Sequence, residues 1–321
     1  MADEHTVLSS HRTQDPSELM IEVANAALEQ LREDLDFPLG PAERIGGDQS
    51  GSQGVADATL KMLIRDRSHR PRLVLLCSSP VAPDLVKRNV ERAALAKQAL
   101  GAAGEAVLTA SHAGEFNGIS FAAFPYCTPL RDGWAWRLQR CYIRPAVLRW
   151  LQDATAATVR PADVETIKSN FTLPLEYLES LKPMPGAIRE MAAGALKRLD
   201  HGSWLPHSCL MHGDLWKGNL LLSPHASDKP RFVVIDWPGS LLQGYGIYDL
   251  IRLADSLGVR GRKLHSHIAS HCQLLQCDLT DSKSHLLAAL AHIAMHLENF
   301  PLPRYISMSR HCLGVLDSVI D

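Results

Sequence analysis

The stretch MHGDLWKGNLLLSPHASDKPRFVVIDWPGSLLQGYGIYDL, Met211 to Leu250, carries most of what the chain says about its fold and chemistry. It contains three polar groups at fixed intervals: Asp214 in a His-Gly-Asp tripeptide, Asn219 five positions later, and Asp236 at the end of the apolar run 232–235. A short tripeptide recurs by chance, but this spacing within an ordered context is specific.

The context is a predicted hairpin. Leu220–Leu222 and the β-branched run Phe232–Ile235 read as two strands joined by a turn rich in Pro, Ser and Asp. A hairpin brings Asn219 and Asp236 to one edge. Both side chains offer the hard oxygen ligands that Mg²⁺ prefers, so the sequence predicts a magnesium site there. Asp214 is then the candidate catalytic residue, an ionised carboxylate that orients or deprotonates an acceptor hydroxyl.

This arrangement resembles the Brenner motif of the aminoglycoside phosphotransferase and choline kinase-like families, which are relatives of the protein kinases. The resemblance implies an α+β, two-lobed protein-kinase-like fold with a small antiparallel β-sheet N-lobe and a mainly helical C-lobe. It implies Mg-ATP-dependent transfer of the γ-phosphoryl group to a hydroxyl of a small molecule. Trp237 follows the metal Asp where protein kinases have Phe-Gly, and no Ala-Pro-Glu segment is recognisable, so a protein kinase is disfavoured.

Two neighbours of the motif have supporting or open roles. Asp249, in Gly244–Leu250, matches the family residue that steadies the catalytic loop, and we expect it to be structural. Lys217 is a candidate catalytic residue that stabilises the transferred charge; the alternative is a solvated lysine in an exposed loop. His212 is expected to brace the loop by hydrogen bonds.

Upstream segments fit a nucleotide-binding lobe. The glycine-rich run 44–55 occupies the family's phosphate-loop position, and its candidate phosphate contacts are Gly47, Ser50 and Ser52. Strands are predicted at 58–64 and 72–77, followed by a helix at 84–100 that carries Glu91. An ordinary flexible Gly-Ser loop is the alternative reading of the first segment.

One departure from the family concerns a lysine. The strand at 72–77 should carry a lysine that contacts the α- and β-phosphates and pairs with Glu91, but Leu76 or Cys77 stands there. Lys61, on the neighbouring strand, is the best substitute. The gap leaves an alternative open: a catalytically weak pseudokinase that binds a nucleotide or a partner.

The strand Phe121–Cys127 lies where the hinge between the lobes should be, and hinge backbone binds adenine in the family. Pro125 has no N–H to donate, so Tyr126 or Cys127 is the predicted contact. A buried strand leaving a sheet fits the same residues. The predicted organisation is a leader and N-terminal helix at 1–40, a nucleotide-binding N-lobe at 41–126, and a catalytic and acceptor-binding C-lobe at 127–321.

Composition predicts a cytoplasmic enzyme. The chain has 321 residues, 46% hydrophobic and 21% charged, with a net charge of −2. This charge gives no indication of nucleic acid as a partner, and no apolar run reaches the roughly 20 residues of a membrane span. The N-terminus does not read as a secretory signal, and seven cysteines without a C-x-x-C pair indicate reduced thiols.

The acceptor is less clearly marked. Acidic and basic residues balance in the terminal region 252–321, which suits a neutral or anionic acceptor such as a sugar or glycan better than a polycation. The form His-Gly-Asp-Leu-Trp is similar to fructosamine kinase-like members. Two histidine groups, at 265–272 and at His292 and His296, are expected to be solvated and to pack on a helix or line a pocket, respectively, rather than to bind zinc.

Overall fold

The computed structural model describes residues 16–35, 38–45, 59–223, 231–297 and 300–320. The first part of the chain forms two helices and five strands: α1 (Pro16–Asp34), β1 (Leu39–Arg44), β2 (Leu60–Asp66), β3 (Pro71–Cys77), α2 (Leu85–Leu100), β4 (His112–Phe116) and β5 (Ile119–Pro125). The predicted N-terminal helix is α1, and the predicted helix at 84–100 and the predicted strands agree with these bounds to within a few residues.

The five strands make one antiparallel sheet in the order β1-β2-β3-β5-β4. Successive side chains of a strand point to opposite faces, so the sheet has two distinct sides. The face that carries Leu75 packs against Val23 and Ala27 of α1 in one apolar cluster. The opposite face carries Leu76, which packs with Val86 and Val90 of α2.

The strand register places Lys61 on the α2 side of the sheet. Lys61 of β2 lies directly opposite Leu76 of β3, and Leu76 lies opposite Ala122 of β5. Directly opposed residues of antiparallel strands project from the same face. Lys61 therefore shares the face of Leu76 and Ala122, which α2 covers through Val86.

The rest of the chain is mainly helical, with short strands that hold loops together. Its elements are β6 (Thr128–Pro129), α3 (Gly133–Thr158), β7 (Arg160–Pro161), α4 (Val164–Thr166), α5 (Leu173–Ser180), α6 (Gly186–Asp200), β8 (His207–Met211), β9 (Leu220–Leu222), β10 (Phe232–Val234), β11 (Leu241–Gly244), α7 (Tyr248–Ser256), α8 (Gly261–Leu274), α9 (Leu279–Met295) and α10 (Leu302–Ile320). A π-helical turn, Ile167–Thr172, joins α4 to α5.

A second, larger apolar cluster fills this part of the molecule. Its largest fully buried side chains include Trp204, Trp237 and Tyr305. The α2 helix belongs to both regions, because Ala93 and Leu100 near its C-terminal end pack into this larger cluster. A small antiparallel sheet followed by a mostly helical remainder is the architecture that the sequence predicts.

Two negative findings concern the described part of the chain. None of its helices is long and apolar enough to span a membrane. All seven cysteines lie within the described ranges, and each is a free thiol.

Candidate active site

The predicted hairpin forms and aligns the two candidate metal ligands. Strands β9 and β10 pair antiparallel, with Leu220 opposite Val234. Just beyond this pair, the amide of Ile235 donates to the carbonyl of Asn219 at 3.1 Å. Asn219 thus precedes one strand, and Asp236 follows the other, at the same end of the hairpin.

Asn219 ties this end to the catalytic loop. Its Nδ2 donates to the backbone carbonyl of Asp214 at 2.8 Å and to Oδ2 of the same residue at 3.2 Å. Asn219 is buried, whereas the Asp214 side chain is 52% exposed. Because Nδ2 makes both bonds, Oδ1 is the amide atom that can face a cation. An amide oxygen and the nearby carboxylate of Asp236 are a donor set that fits Mg²⁺.

Asp249 holds the loop from beneath. Its carboxylate accepts the amide of His212 at 2.5 Å and the amide of Gly213 at 3.1 Å. Burial raises the pKa of Asp249 to about 7, and the two amide hydrogen bonds oppose that rise. The side chain lies at the first turn of α7 and carries the supporting role assigned to it from the sequence.

His212 braces the same loop through both ring nitrogens. Nε2 lies 2.9 Å from the carbonyl of Ile235, and Nδ1 lies 3.2 Å from the amide of Asp214. The pattern fits a neutral ring with the proton on Nε2, which donates while Nδ1 accepts. Burial lowers the pKa of His212 to about 4, so the ring is neutral at pH 7. This geometry is that of a structural brace, as predicted.

Gly213 permits a close backbone approach that no other residue would. Its φ is +88°, and a Cβ added there would lie 2.8 Å from the carbonyl oxygen of Gly239. Side chains avoid both the positive φ and the contact. The glycine between His212 and Asp214 therefore lets the loop pass against the turn that follows Asp236.

Asp236 adopts an uncommon backbone conformation, with φ of +71° for a non-glycine residue. Such a conformation costs energy and persists where its surroundings impose it. Here the next residue, Trp237, is buried and donates its amide to Oδ1 of Asn89 on α2 at 2.8 Å. Its indole N–H donates to the carbonyl of Val234 at 3.1 Å. The turn thus presents Asp236 as an exposed residue at the end of the hairpin.

The two cations of this region, Lys217 and Arg252, form different ion pairs. Lys217 pairs through Nζ with Asp132 at 2.7 Å, and the same atom lies 4.7 Å from the ring centroid of Trp136. The cation that contacts Asp214 is Arg252 of α7, whose Nη2 lies 2.8 Å from Oδ1. A solvated lysine is therefore the wrong description of Lys217, and its catalytic role stays a prediction.

The predicted nucleotide contacts lie in several places. Lys61 projects from the α2 side of the sheet, and Glu91 is an exposed residue of α2. Gly47, Ser50 and Ser52 lie outside the described residues. Their roles remain predictions.

The hinge prediction needs one correction. The amide of Tyr126 donates to the carbonyl of Arg72 at 2.9 Å, so it extends the sheet and is used within it. The predicted adenine contact through the amide of Tyr126 is therefore wrong, and the alternative contact through Cys127, a buried residue, stays a prediction. The sequence could not distinguish the two, because the end of the ladder depends on register.

Arg252 and Asn89 are site residues that the sequence analysis did not single out. Arg252 lies one helical turn after Asp249, and this spacing is a signal that could have placed it beside the loop. Asn89 lies on α2, and its bond to Trp237 crosses 148 residues. No local sequence pattern predicts a contact between residues this far apart in the chain.

The histidines behave in part as predicted. His265 is exposed, but His271 is fully buried, so its description as solvated is wrong. The reason is that Leu264, Ile268 and His271 fall on the apolar stripe of α8. His292 packs its ring 4.5 Å from that of His296. In the described part of the chain, no three His, Cys, Asp or Glu residues are grouped to hold a metal ion.

Known structures share this fold at low sequence identity. A choline/ethanolamine kinase family protein from Mesorhizobium loti matches with a TM-score of 0.53 and 16% identity, over 93% of this chain and 95% of that one. A candidate fructosamine-3-kinase from Haemophilus somnus gives 0.52 and 11%, over 94% and 99%. The choline kinase LicA from Streptococcus pneumoniae gives 0.52 and 13%, over 92% and 99%. These likenesses confirm the protein-kinase-like fold.

Sequence comparison identifies the family. No curated protein matches the chain. Residues 61–265, more than half of the sequence, match the model described as the phosphotransferase enzyme family. That range includes the catalytic loop, the hairpin and Asp249. The chain therefore belongs to the phosphotransferase enzyme family.

Proposed function

We propose that this protein is a Mg-ATP-dependent phosphotransferase that moves the γ-phosphoryl group of ATP to a hydroxyl of a small molecule. Family membership supports the class of reaction. The observation that carries the proposal is the bonding of Asn219 to Asp214 at the end of the hairpin that also presents Asp236. It brings a carboxylate for the acceptor beside two oxygen ligands for a cation.

Asp214 has the position and exposure of the group that orients the acceptor. Its Oδ2 accepts from Asn219 and its Oδ1 from Arg252, which fixes the plane of the carboxylate while half of the side chain stays open to solvent. A hydroxyl within hydrogen-bond distance of it would be aligned for attack. Asn219 and Asp236 would hold Mg²⁺, which supplies neutralisation of the phosphate oxygens when bound.

The nucleotide would lie between the sheet and this loop. The LicA structure determined with AMP, which has a TM-score of 0.50 and 13% identity over 92% of this chain, supports nucleotide binding by this fold. In this chain we assign the phosphate contacts to Lys61, with Gly47, Ser50 and Ser52, and the adenine contact to Cys127. Glu91 is the proposed partner of Lys61.

The register of the sheet bears on the pseudokinase alternative. Lys61 is directly opposite Leu76, a position where the family lysine is missing, and both residues project from the α2 side. A lysine side chain is long enough to reach space flanking an adjacent strand. The gap at Leu76 therefore leaves the site with a basic residue on the same face, and a working enzyme is favoured.

We propose a sugar or glycan-type compound as the acceptor. Asp236 is assigned to Mg²⁺ and Asp249 accepts backbone amides, while two other described carboxylates of this region are paired with cations, Asp132 with Lys217 and Asp255 with Arg260. A polycationic acceptor needs unpaired carboxylates to bind its ammonium groups. A neutral or anionic hydroxyl compound has no such requirement.

The test is a phosphotransfer screen. Purified protein with Mg-ATP would be incubated with sugars, sugar acids, amino sugars and choline, and ADP release and the phosphorylated product would be measured. Transfer should occur with wild type and with Asp153→Asn, a change at an exposed aspartate of α3, but not with Asp214→Asn. Mg-ATP binding without transfer to any acceptor would establish the pseudokinase instead.

A further inference from the structure

Arg252 occupies the space next to the acceptor-orienting carboxylate. It extends from α7, and its Nη2 donates to Oδ1 of Asp214 at 2.8 Å. The side chain is 26% exposed, so it is neither buried in the core nor free on the surface. An acceptor hydroxyl bonded to Oδ1 of Asp214 would have this guanidinium within about 6 Å, since each lies one hydrogen bond from the same oxygen.

The guanidinium of Arg252 has N–H donors that are not bonded to Asp214. An arginine has five N–H donors in a planar fork, and Arg252 uses Nη2 on Asp214. Its Nε is buried, so the donors that an acceptor could reach are the N–H groups of Nη1 and Nη2, of which one on Nη2 is bonded to Asp214. A planar fork of this kind binds carboxylate or phosphate oxygens in preference to neutral groups.

The neighbouring carboxylates already have hydrogen-bond or ion-pair partners and are not available to bind a cationic ligand. Asp132 lies 2.7 Å from Nζ of Lys217. Asp255, three residues after Arg252, lies 2.5 Å from Nη2 of Arg260 and 2.9 Å from the ring of His311. Asp249 is buried and accepts backbone amides. The described surface around Arg252 thus has its negative charges matched, while the guanidinium has donors left over.

We infer that Arg252 forms a subsite for an anionic group of the acceptor, and that the acceptor is a hydroxyl compound with a carboxylate or phosphate close to the reacting hydroxyl. Sugar acids and sugar phosphates have this chemistry. The inference rests on the proposed function and narrows its acceptor class. Choline and amino sugars would place a positive charge against Arg252, which is unfavourable at this distance.

A purely positioning role for Arg252 makes a different prediction. If the guanidinium only holds Asp214, its removal lowers transfer to every acceptor by the same factor. If it also binds the acceptor, its removal reduces the preference for anionic over neutral acceptors. The ratio of the two kcat/KM values separates these roles, because the effect on Asp214 cancels in the ratio.

The experiment uses three matched sets of acceptors with Mg-ATP: neutral sugars, sugar acids and sugar phosphates, and amino sugars with choline. For wild type we expect kcat/KM to be at least about tenfold higher for the best anionic compound than for its neutral counterpart, and lowest for the cationic set. Arg252→Gln should lower this ratio at least about tenfold, mainly by raising KM for the anion. The sugar-acid and sugar-phosphate arms show which anion the subsite prefers.

Two variants serve as controls. Arg252→Lys keeps the charge without the planar fork and should retain part of the preference. Arg65→Gln removes another arginine that pairs with a carboxylate, Glu43, and is similarly exposed at 29%; its ratio should equal that of wild type. Thermal unfolding of each variant with Mg-ADP verifies that the fold and the nucleotide site persist.

Two results would overturn the inference while leaving the phosphotransferase intact. One is a wild-type preference for neutral or cationic acceptors; the other is an equal loss with all acceptors in Arg252→Gln. Absence of transfer in every arm, with Mg-ATP bound, would instead overturn the proposed function and this inference with it.

Discussion

The two sides of the proposed nucleotide cleft are built in different ways. On the loop side, Asp214 and its neighbours are fixed by several hydrogen bonds, such as those from the backbone amides of His212 and Gly213 to the carboxylate of Asp249. On the sheet side, the proposed phosphate contact, Lys61, gains its position from the pairing of three strands. Several hydrogen bonds hold the loop around Asp214, whereas the position of Lys61 depends on the register of its strand.

If Lys61 replaces the family lysine as we propose, this difference explains how the fold could tolerate the loss of that residue. Strand pairing leaves several positions on one face of a sheet within reach of the same space, so a basic group can move from β3 to β2. A loop that must hold a carboxylate, an amide and a metal ligand together has no such freedom, because each bond fixes the next. The loop motif is complete in this chain, and the sheet motif is rearranged.

Removal of the proposed metal ligand should have the largest effect. Asp236→Ala deletes the carboxylate that we assign to Mg²⁺, and nucleotide binding should lose its dependence on the metal. Calorimetric titration of ATP with and without Mg²⁺ measures this directly. If ATP binding by the variant depends on Mg²⁺ as in wild type, Asp236 is not a ligand of the metal.

Asp214→Asn should affect chemistry alone. The amide keeps the size of the side chain but cannot take a proton, so turnover should fall at least about a hundredfold while ATP affinity stays near that of wild type. Steady-state rates and nucleotide titration on the same preparation give both quantities. Equal activity in the variant would exclude Asp214 from the mechanism.

The buried histidines outside the small sheet should make the stability of the protein depend on pH. The larger apolar cluster encloses His285, whose ring centroid lies 5.2 Å from that of Trp204, and burial with the nearby His207 lowers the pKa of His285 to about 3. The four histidines that are buried in the described residues all lie outside the small sheet. In the unfolded chain the imidazole takes its proton below about pH 6.5, but in the folded chain it does so only near pH 3. The free energy of unfolding should therefore fall as the pH drops from 6.5 toward 3.

At pH 5 the expected loss from His285 is about 2 kcal/mol. Denaturant unfolding of wild type and His285→Leu at pH 7 and pH 5 tests this, because leucine does not titrate. The variant should lose about 2 kcal/mol less than wild type between the two pH values. An identical acid loss in both proteins would show that His285 is not the source.

Gly213→Ala should distort the loop without deleting a catalytic group. A Cβ there would lie 2.8 Å from the carbonyl oxygen of Gly239, at a φ of +88°. We expect turnover to fall about tenfold and the free energy of unfolding to fall by about 1–2 kcal/mol. Gly194→Ala is the matched control, since its Cβ would meet nothing within 4 Å and alanine favours the helix. Activity equal to that of the control would show that the loop side is less constrained than its bonds indicate.

The sequence predicted the fold and the loop side because both are encoded locally. Apolar periodicity located α1, α2 and the strands, and the spacing from Asp214 to Asp236 located the hairpin. The family match over residues 61–265 confirms that resemblance. The helices, the strands and the hairpin each depend on residues close together in the chain.

The sequence did not specify contacts that depend on the tertiary structure. Lys217 pairs with Asp132, and Arg252 of α7 pairs with Asp214. The catalytic role of Lys217 stays a prediction. Tyr126 carries an N–H at the hinge, but the carbonyl of Arg72 already accepts it. Residue type and order along the chain do not specify which of two nearby groups forms the bond.

The smallest effect tests the sheet side. Lys61 and Lys87 are both within the predicted N-lobe, but Lys61 is the one that lies opposite Leu76, whereas Lys87 is an exposed residue of α2. If register places the substitute lysine, Lys61→Ala should weaken ATP binding roughly fivefold, whereas Lys87→Ala should leave it near wild type. Titration of Mg-ATP into both variants gives the two dissociation constants. Equal affinities in Lys61→Ala and wild type would mean that no basic group at this position replaces the family lysine, and that the loop side binds the triphosphate without help from β2.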